Sequence, residues 1–79
     1  MLTKLEQAGK VVGVKQVRRA LKDGRATGIY LARNADPALT EPLAQQAQEQ
    51  GVEVHWTDTM QSLGHACGIA VGAAVAATV

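Results

Sequence analysis

From Val14 to Asp23 the apolar residues recur at helical spacing, with Val14, Val17, Ala20 and Leu21 on one side and cations on the other. A helix is expected there, entered at Gly13 and closed by Gly24. Ahead of it, Leu2 to Ala8 suggests a first helix stopped by Gly9, and Val11-Val12 a very short strand ended by Gly13. Gly28 to Leu31 has the character of a buried strand running on to Arg33. In Asn34-Ala35-Asp36-Pro37 a turn passes into a helix, since Asp36 can cap and Pro37 suits a first helical position. Pro42 sits too far in for one clean helix from Pro37. A short turn is therefore expected, followed by a helix capped by Thr40, with Leu43, Ala44 and Ala47 facing inward and Gly51 at its end. Val52, Val54 and Trp56 alternate with Glu53 and His55, the pattern of a half-exposed strand. Thr57 or Asp58 is expected to cap a last helix that carries Met60, Leu63 and Cys67 and stops at Gly68. Ile69 to Gly72 then forms a loop, and Ala73 to Val79 a final strand of small residues.

Helices and strands alternate through the whole chain, which argues for a sheet covered on both faces by helices. The expected architecture is α/β, a three-layer α/β/α sandwich with a four-stranded mixed sheet. With 79 residues, no repeat and no linker, residues 1–79 are expected to form a single domain. Hydrophobic residues make up 47% and charged residues 19%, in keeping with a folded chain. One cysteine allows no internal disulfide, and the N-terminus lacks an apolar signal-peptide core. The apolar stretch from Ala66 to Val79 is interrupted by two glycines and falls short of the roughly 20 residues a membrane span needs. A soluble, cytoplasmic protein with no membrane partner is the expectation.

Charge changes this picture because it is segregated. All eight Lys and Arg lie between Lys4 and Arg33, where the only acids are Glu6 and Asp23. From Asn34 onward there is no Lys or Arg, and the acids are Asp36, Glu41, Glu49, Glu53 and Asp58. Such asymmetry points to a polyanion partner, unless folding interleaves the two halves in space.

The basic half converges on the helix after Gly13. At 100° per residue, Lys15, Arg18, Arg19 and Lys22 fall within an arc of about 100°, separate from the apolar arc, with Gln16 just beyond Arg19. A helix start offers unpaired N–H groups and a partial positive charge, both suited to phosphate. Gly13 leaves the backbone uncovered for a close approach. An ordinary solvated basic face would look similar. Against it stand the lack of i,i+4 carboxylate partners, Asp23 being the only acid there, and a glycine entry in place of a Ser, Thr or Asp cap.

A second segment, Leu63-Gly64-His65-Ala66-Cys67-Gly68-Ile69-Ala70-Val71-Gly72-Ala73-Ala74, puts Ile69 and Val71 in a loop where polar residues would be usual. A loop of this kind either packs on its own domain or covers something planar, and from its residues alone packing is the simpler reading. Catalytic chemistry finds little support. Cys67 sits at a helix end, the negative pole, where a thiolate is disfavoured, so it reads as a small buried hydrophobe. His65 reads as a surface polar residue. His55 and His65 make no metal spacing with Cys67, and no phosphate loop or nucleophile elbow occurs. No enzyme activity, cofactor or metal is expected. Tyr30 and Trp56 are the only aromatics, and both lie on strands with core-like alternation, which excludes RNA-binding modules built on exposed rings.

The runs Gly13-Val14-Lys15-Gln16-Val17-Arg18-Arg19-Ala20-Leu21-Lys22-Asp23-Gly24 and Leu63 to Ala74, spaced as they are, resemble the L7Ae/L30e ribosomal protein superfamily. The similarity is greatest to its short bacterial branch of kink-turn-binding, ribosome-associated homologues, and it extends over the chain, including Ala32-Arg33-Asn34-Ala35-Asp36-Pro37. The resemblance implies an α/β/α sandwich that binds kink-turns, helix–bulge–helix RNA elements bent sharply by tandem sheared G·A pairs. It implies that Gly13, Val14, Lys15, Gln16 and Arg19 enter the widened major groove, and that Ile69, Ala70, Val71 and Gly72 contact the bulge and its extruded nucleotide. Many archaeal and eukaryotic relatives carry Asn-Glu in place of Lys15-Gln16; Ala70 replaces a frequent polar or acidic residue, and His65 a usual Lys. A monomer that binds structured RNA, ribosomal RNA and the ribosome among the candidates, is the implied function. A protein-interaction module on the same fold is the alternative.

Overall fold

The computed structural model describes residues 9–79, and the helix expected over Leu2 to Ala8 lies outside them. Four strands, β1 (Lys10–Val12), β2 (Gly28–Ala32), β3 (Glu53–Thr57) and β4 (Val75–Thr78), form one sheet in the order β1-β4-β2-β3. The first two pairings, β1 with β4 and β4 with β2, are antiparallel, whereas β2 and β3 run parallel. Three helices, α1 (Val14–Lys22), α2 (Pro37–Glu49) and α3 (Met60–Ala66), connect them.

Alternation along the central strands explains the layers. Ile29 and Leu31 of β2, with Val75 and Ala77 of β4, pack against Val17, Ala20 and Leu21 of α1 and Leu43 and Ala47 of α2. Tyr30, Ala32 and Ala76 point the other way, against Leu63 of α3 and Cys67 at its C-cap. The mixed four-stranded α/β/α sandwich is thus the one expected. Both central strands are buried along their whole length, as strands covered on two faces must be. Each fully buried large side chain here, Leu21, Ile29, Leu31, Leu63, Val17 and Val75, contributes about 1.5–3 kcal/mol of hydrophobic stabilisation.

Three local expectations are corrected. Pro42 does not end a turn: α2 is one helix from Pro37, capped by the Asp36 carboxylate, which accepts from the Ala38 N–H at 2.9 Å. Pro42 and Ala38 both lie on the exposed face one turn apart, so water can hydrate the carbonyl that proline leaves without a donor. Thr40 is therefore not a cap but a buried residue. The cap of α3 is Thr59 rather than Thr57 or Asp58, its hydroxyl accepting from Ser62 N–H at 3.0 Å. Asn34 reaches across from the end of β2 to accept the Met60 N–H at 2.8 Å, satisfying a second donor of the first turn. Trp56 departs most from its pattern, being 40% exposed where Tyr30 is 3%. It lies opposite Leu31, but β3 is an edge strand, and one flank of the indole has no neighbouring strand to cover it.

Candidate nucleic-acid interface

Gly13 turns the chain from β1 into α1 with φ 105° and ψ 152°, a conformation open in practice only to glycine. Its N–H donates to the Val75 carbonyl at 3.1 Å and its carbonyl accepts from Val17 N–H at 3.0 Å. No side chain caps α1, so its first-turn N–H groups face outward. Lys15, Gln16 and Arg19, one turn of surface, line a hollow of about 210 Å³ beside them. Arg18 and Lys22 are exposed further along the same helix, while Val17, Ala20 and Leu21 anchor its other face. Asp23, the acid nearest these cations in sequence, is engaged by Arg25 at 3.6 Å. Among the described residues Lys15, Arg18, Arg19 and Lys22 form no ion pair.

The loop from Gly68 to Gly72 is exposed throughout, with Ile69 at 37% and Val71 at 71%. Packing within the domain, the simpler reading of its residues, does not describe these side chains. Its backbone is nevertheless held. Ile69 N–H donates to the Gly64 carbonyl and Ala73 N–H to the Met60 carbonyl, both at 3.0 Å, so the loop is tied to the two ends of α3. A Cβ at Gly64 would run into the Val71 carbonyl oxygen, and one at Gly72 would lie 3.2 Å from the Met60 Cβ. Two glycines thus let loop and helix touch backbone to backbone.

The sheet brings these segments together. Val12 pairs with Ala76, Gly13 bonds to Val75, and three residues before Val75 the apolar loop ends at Gly72. The helix start and the loop therefore stand at one end of the sheet, although some fifty residues separate them in sequence. Arg33 and Asn34 reach the same end, because the preceding Ala32 N–H donates to the Ala74 carbonyl at 2.9 Å and the Arg33 N–H to the Thr57 carbonyl at 2.8 Å. Spacing and charge along the chain gave neither residue a role of its own. An available signal for the loop anchor was Gly64 itself, a helix-interior glycine that costs helix propensity and so points to a close approach.

Cys67 is 4% exposed, and burial pushes its thiol pKa up, with nearby Lys10 only partly opposing the effect. A thiol held this way is a poor nucleophile. His65 is exposed, as expected. Among the described residues no three His, Cys, Asp or Glu side chains converge where a metal could sit, and no helix is long and apolar enough to cross a membrane.

An α/β/α sandwich with an uncapped basic helix start beside a backbone-pinned apolar loop defines the structural class. The chain belongs to the ribosomal protein L7Ae/L30e/S12e/Gadd45 family, which it matches over residues 1–79. It is 48% identical over 75 residues to the RNA-binding protein YbxF of Geobacillus stearothermophilus, covering 94% of this chain and 92% of that one. To the large ribosomal subunit protein eL8 of Halobacterium salinarum it is 34% identical over 68 residues, 85% of this chain and 57% of the other. The Giardia lamblia 15.5kD RNA binding protein shares the fold, with a TM-score of 0.87 at 24% identity over 98% of this chain and 68% of that one.

Proposed function

We propose that this chain is a non-enzymatic RNA-binding protein that recognises kink-turn RNA as a cytoplasmic monomer associated with the ribosome. The observation that carries the reading is the Gly13–Val75 hydrogen bond, which holds the basic helix start and the apolar loop at one end of the sheet. The names of the similar proteins, RNA-binding and ribosomal, support the class of partner.

In this reading, the first-turn N–H groups and helix dipole of α1 attract backbone phosphate, and Lys15 and Arg19 add mobile charge beside them. The Gln16 amide, with both donor and acceptor, reads a base edge in the widened groove. Gly13 has no Cβ, so the RNA backbone can approach the turn, and Val14 fixes the helix to the core beneath it. Ile69, Ala70, Val71 and Gly72 cover the bulge, where unstacked bases offer apolar faces.

Titrating the protein with a kink-turn RNA and a matched uninterrupted duplex at two salt concentrations tests this. Tighter binding of the kink-turn is expected, with affinity falling as salt rises. Lys15→Ala combined with Arg19→Ala should weaken binding by at least tenfold and flatten the log–log salt slope by about 2, one for each phosphate no longer neutralised. Equal affinity for both RNAs would overturn shape recognition. An unchanged dissociation constant in the double variant would show that another face binds.

A further inference from the structure

Beyond the helix start and the loop, one more hollow opens at the same end of the sheet, on the β3 edge. It measures about 280 Å³ and is lined by Arg33, Ala35, Pro37, Thr40, Glu41 and Trp56. That lies just under the roughly 300 Å³ at which pockets for whole small molecules begin, so it suits a single planar ring system. Its floor and walls differ in kind. Trp56 presents an exposed indole, the only tryptophan of the chain. Pro37 and Ala35 contribute apolar surface, and two opposite charges, Arg33 and Glu41, stand on the rim, both exposed. Among the described residues these two form no ion pair with each other or with any other group, so both remain open to a ligand.

We propose that this hollow binds one unpaired guanine base, stacked on Trp56 and read by Glu41 and Arg33. The inference rests on the RNA-binding reading above and extends it to a second contact. A base stacks on an indole without regard to sequence, so selectivity must come from the rim. Guanine carries adjacent N–H donors at N1 and N2 and acceptors at O6 and N7. An ionised carboxylate is an acceptor only and takes both donors of the first edge; a guanidinium is a donor only and serves O6 and N7. Adenine lacks the paired donors facing Glu41, and uracil and cytosine expose less ring to the indole. The Glu41 charge also repels phosphate, so the site accepts a splayed-out base rather than a length of backbone. Location supports an RNA source for that base. Arg33 directly follows Ala32, whose N–H bonds to the Ala74 carbonyl behind the apolar loop, so an RNA strand leaving the loop passes the hollow.

The lone tryptophan makes the site its own reporter. The full chain is titrated with GMP, AMP, CMP and UMP while indole emission is followed. GMP should change the emission and bind at least tenfold more tightly than AMP, and Glu41→Gln should reduce that preference to below threefold. Separately, affinity is measured for a kink-turn RNA with and without a short single-stranded extension carrying guanine. The extension should tighten binding severalfold, and Trp56→Leu should remove that gain while leaving affinity for the unextended RNA unchanged. Trp56→Phe, which keeps a stacking ring, should retain most of it, separating stacking from any damage to the β3 edge. Emission indifferent to all four nucleotides, or equal for GMP and AMP, would overturn the guanine site while leaving kink-turn binding standing. Failure to bind either kink-turn RNA with a normal GMP response would instead refute the RNA reading above and not the hollow.

Discussion

Gly64→Ala isolates the contact between α3 and the apolar loop. The added methyl would overlap the Val71 carbonyl oxygen and sit 3.1 Å from the Gly72 Cα. Both obstacles are backbone, so neither can swing aside as a side chain would. Replacing a helix-interior glycine by alanine stabilises a helix by about 1 kcal/mol. Forcing a methylene into a packed site costs about 1–3 kcal/mol, so the net change is a loss of up to about 2 kcal/mol. For a domain this small each kcal/mol moves the melting temperature by about 4–8 °C. The chain can avoid part of that cost by letting residues 69–72 lift away, which gives up the Ile69–Gly64 hydrogen bond, worth about 1 kcal/mol. Either route displaces the loop. Kink-turn affinity should then fall about tenfold, some 1.4 kcal/mol, with an unchanged salt slope because Lys15 and Arg19 are untouched. Thermal unfolding by circular dichroism and RNA titration at two salt concentrations measure both arms. A variant that melts several degrees higher and binds RNA with the parental affinity would show that helix propensity dominates and the loop has no part in binding.

Gly13→Ala meets nothing within 4 Å, so its cost is purely that of holding alanine at φ 105°, about 1–3 kcal/mol, and denaturant unfolding should register it. A loss below about 0.5 kcal/mol would contradict the Gly-only backbone there. Pro42→Ala returns an N–H to the Ala38 carbonyl on the exposed face of α2 and should raise the unfolding free energy by about 2 kcal/mol, roughly 3 for an interior proline less up to about 1 for the lost rigidity of the unfolded chain, moving the urea midpoint upward. A lowered midpoint would mean that the ring packs usefully. Native Cys67 should react with a thiol reagent far more slowly at pH 8 than the same chain in denaturant. Because folding raises its pKa, the stability it lends is complete below the unfolded thiol value of 9.0 and is lost as pH climbs through the higher folded one. Rapid native labelling, or stability that increases above pH 9, would refute the buried thiol.

Where a residue's role depends on its immediate neighbours, the sequence was readable. Val17, Ala20 and Leu21 share a helical face, and Gly24 and Gly51 end two helices, each at a positive φ. Roles set by distant residues were not. Pro42 is tolerated because of which way Ala38 faces, and Trp56 is exposed because β3 falls at the edge of the sheet. The cap of α3 stands at Thr59, where Asn34, 26 residues before Met60, supplies part of the capping by accepting the Met60 N–H. The candidate site divides in the same way. The basic arc on α1 could be argued from spacing and charge, whereas the loop entered the site only by family resemblance, since its hold on α3 lies in backbone contacts that side-chain identity does not announce.

The Gly13–Val75 bond has a mechanical meaning as well. It fixes the opening of a caliper, one jaw the end of a helix and the other a loop clamped to a second helix, with a rung of the sheet as the hinge pin. Opening the helix jaw means giving up this bond beside the β1–β4 pairing, and opening the loop jaw means giving up the Ile69–Gly64 bond. An RNA seated in both would therefore do the adapting, bending to a gauge set in the protein before contact. Binding would spend the flexibility of the nucleic acid rather than that of the chain. An RNA already folded into its bend, by magnesium for example, should then bind more tightly than the same sequence left supple.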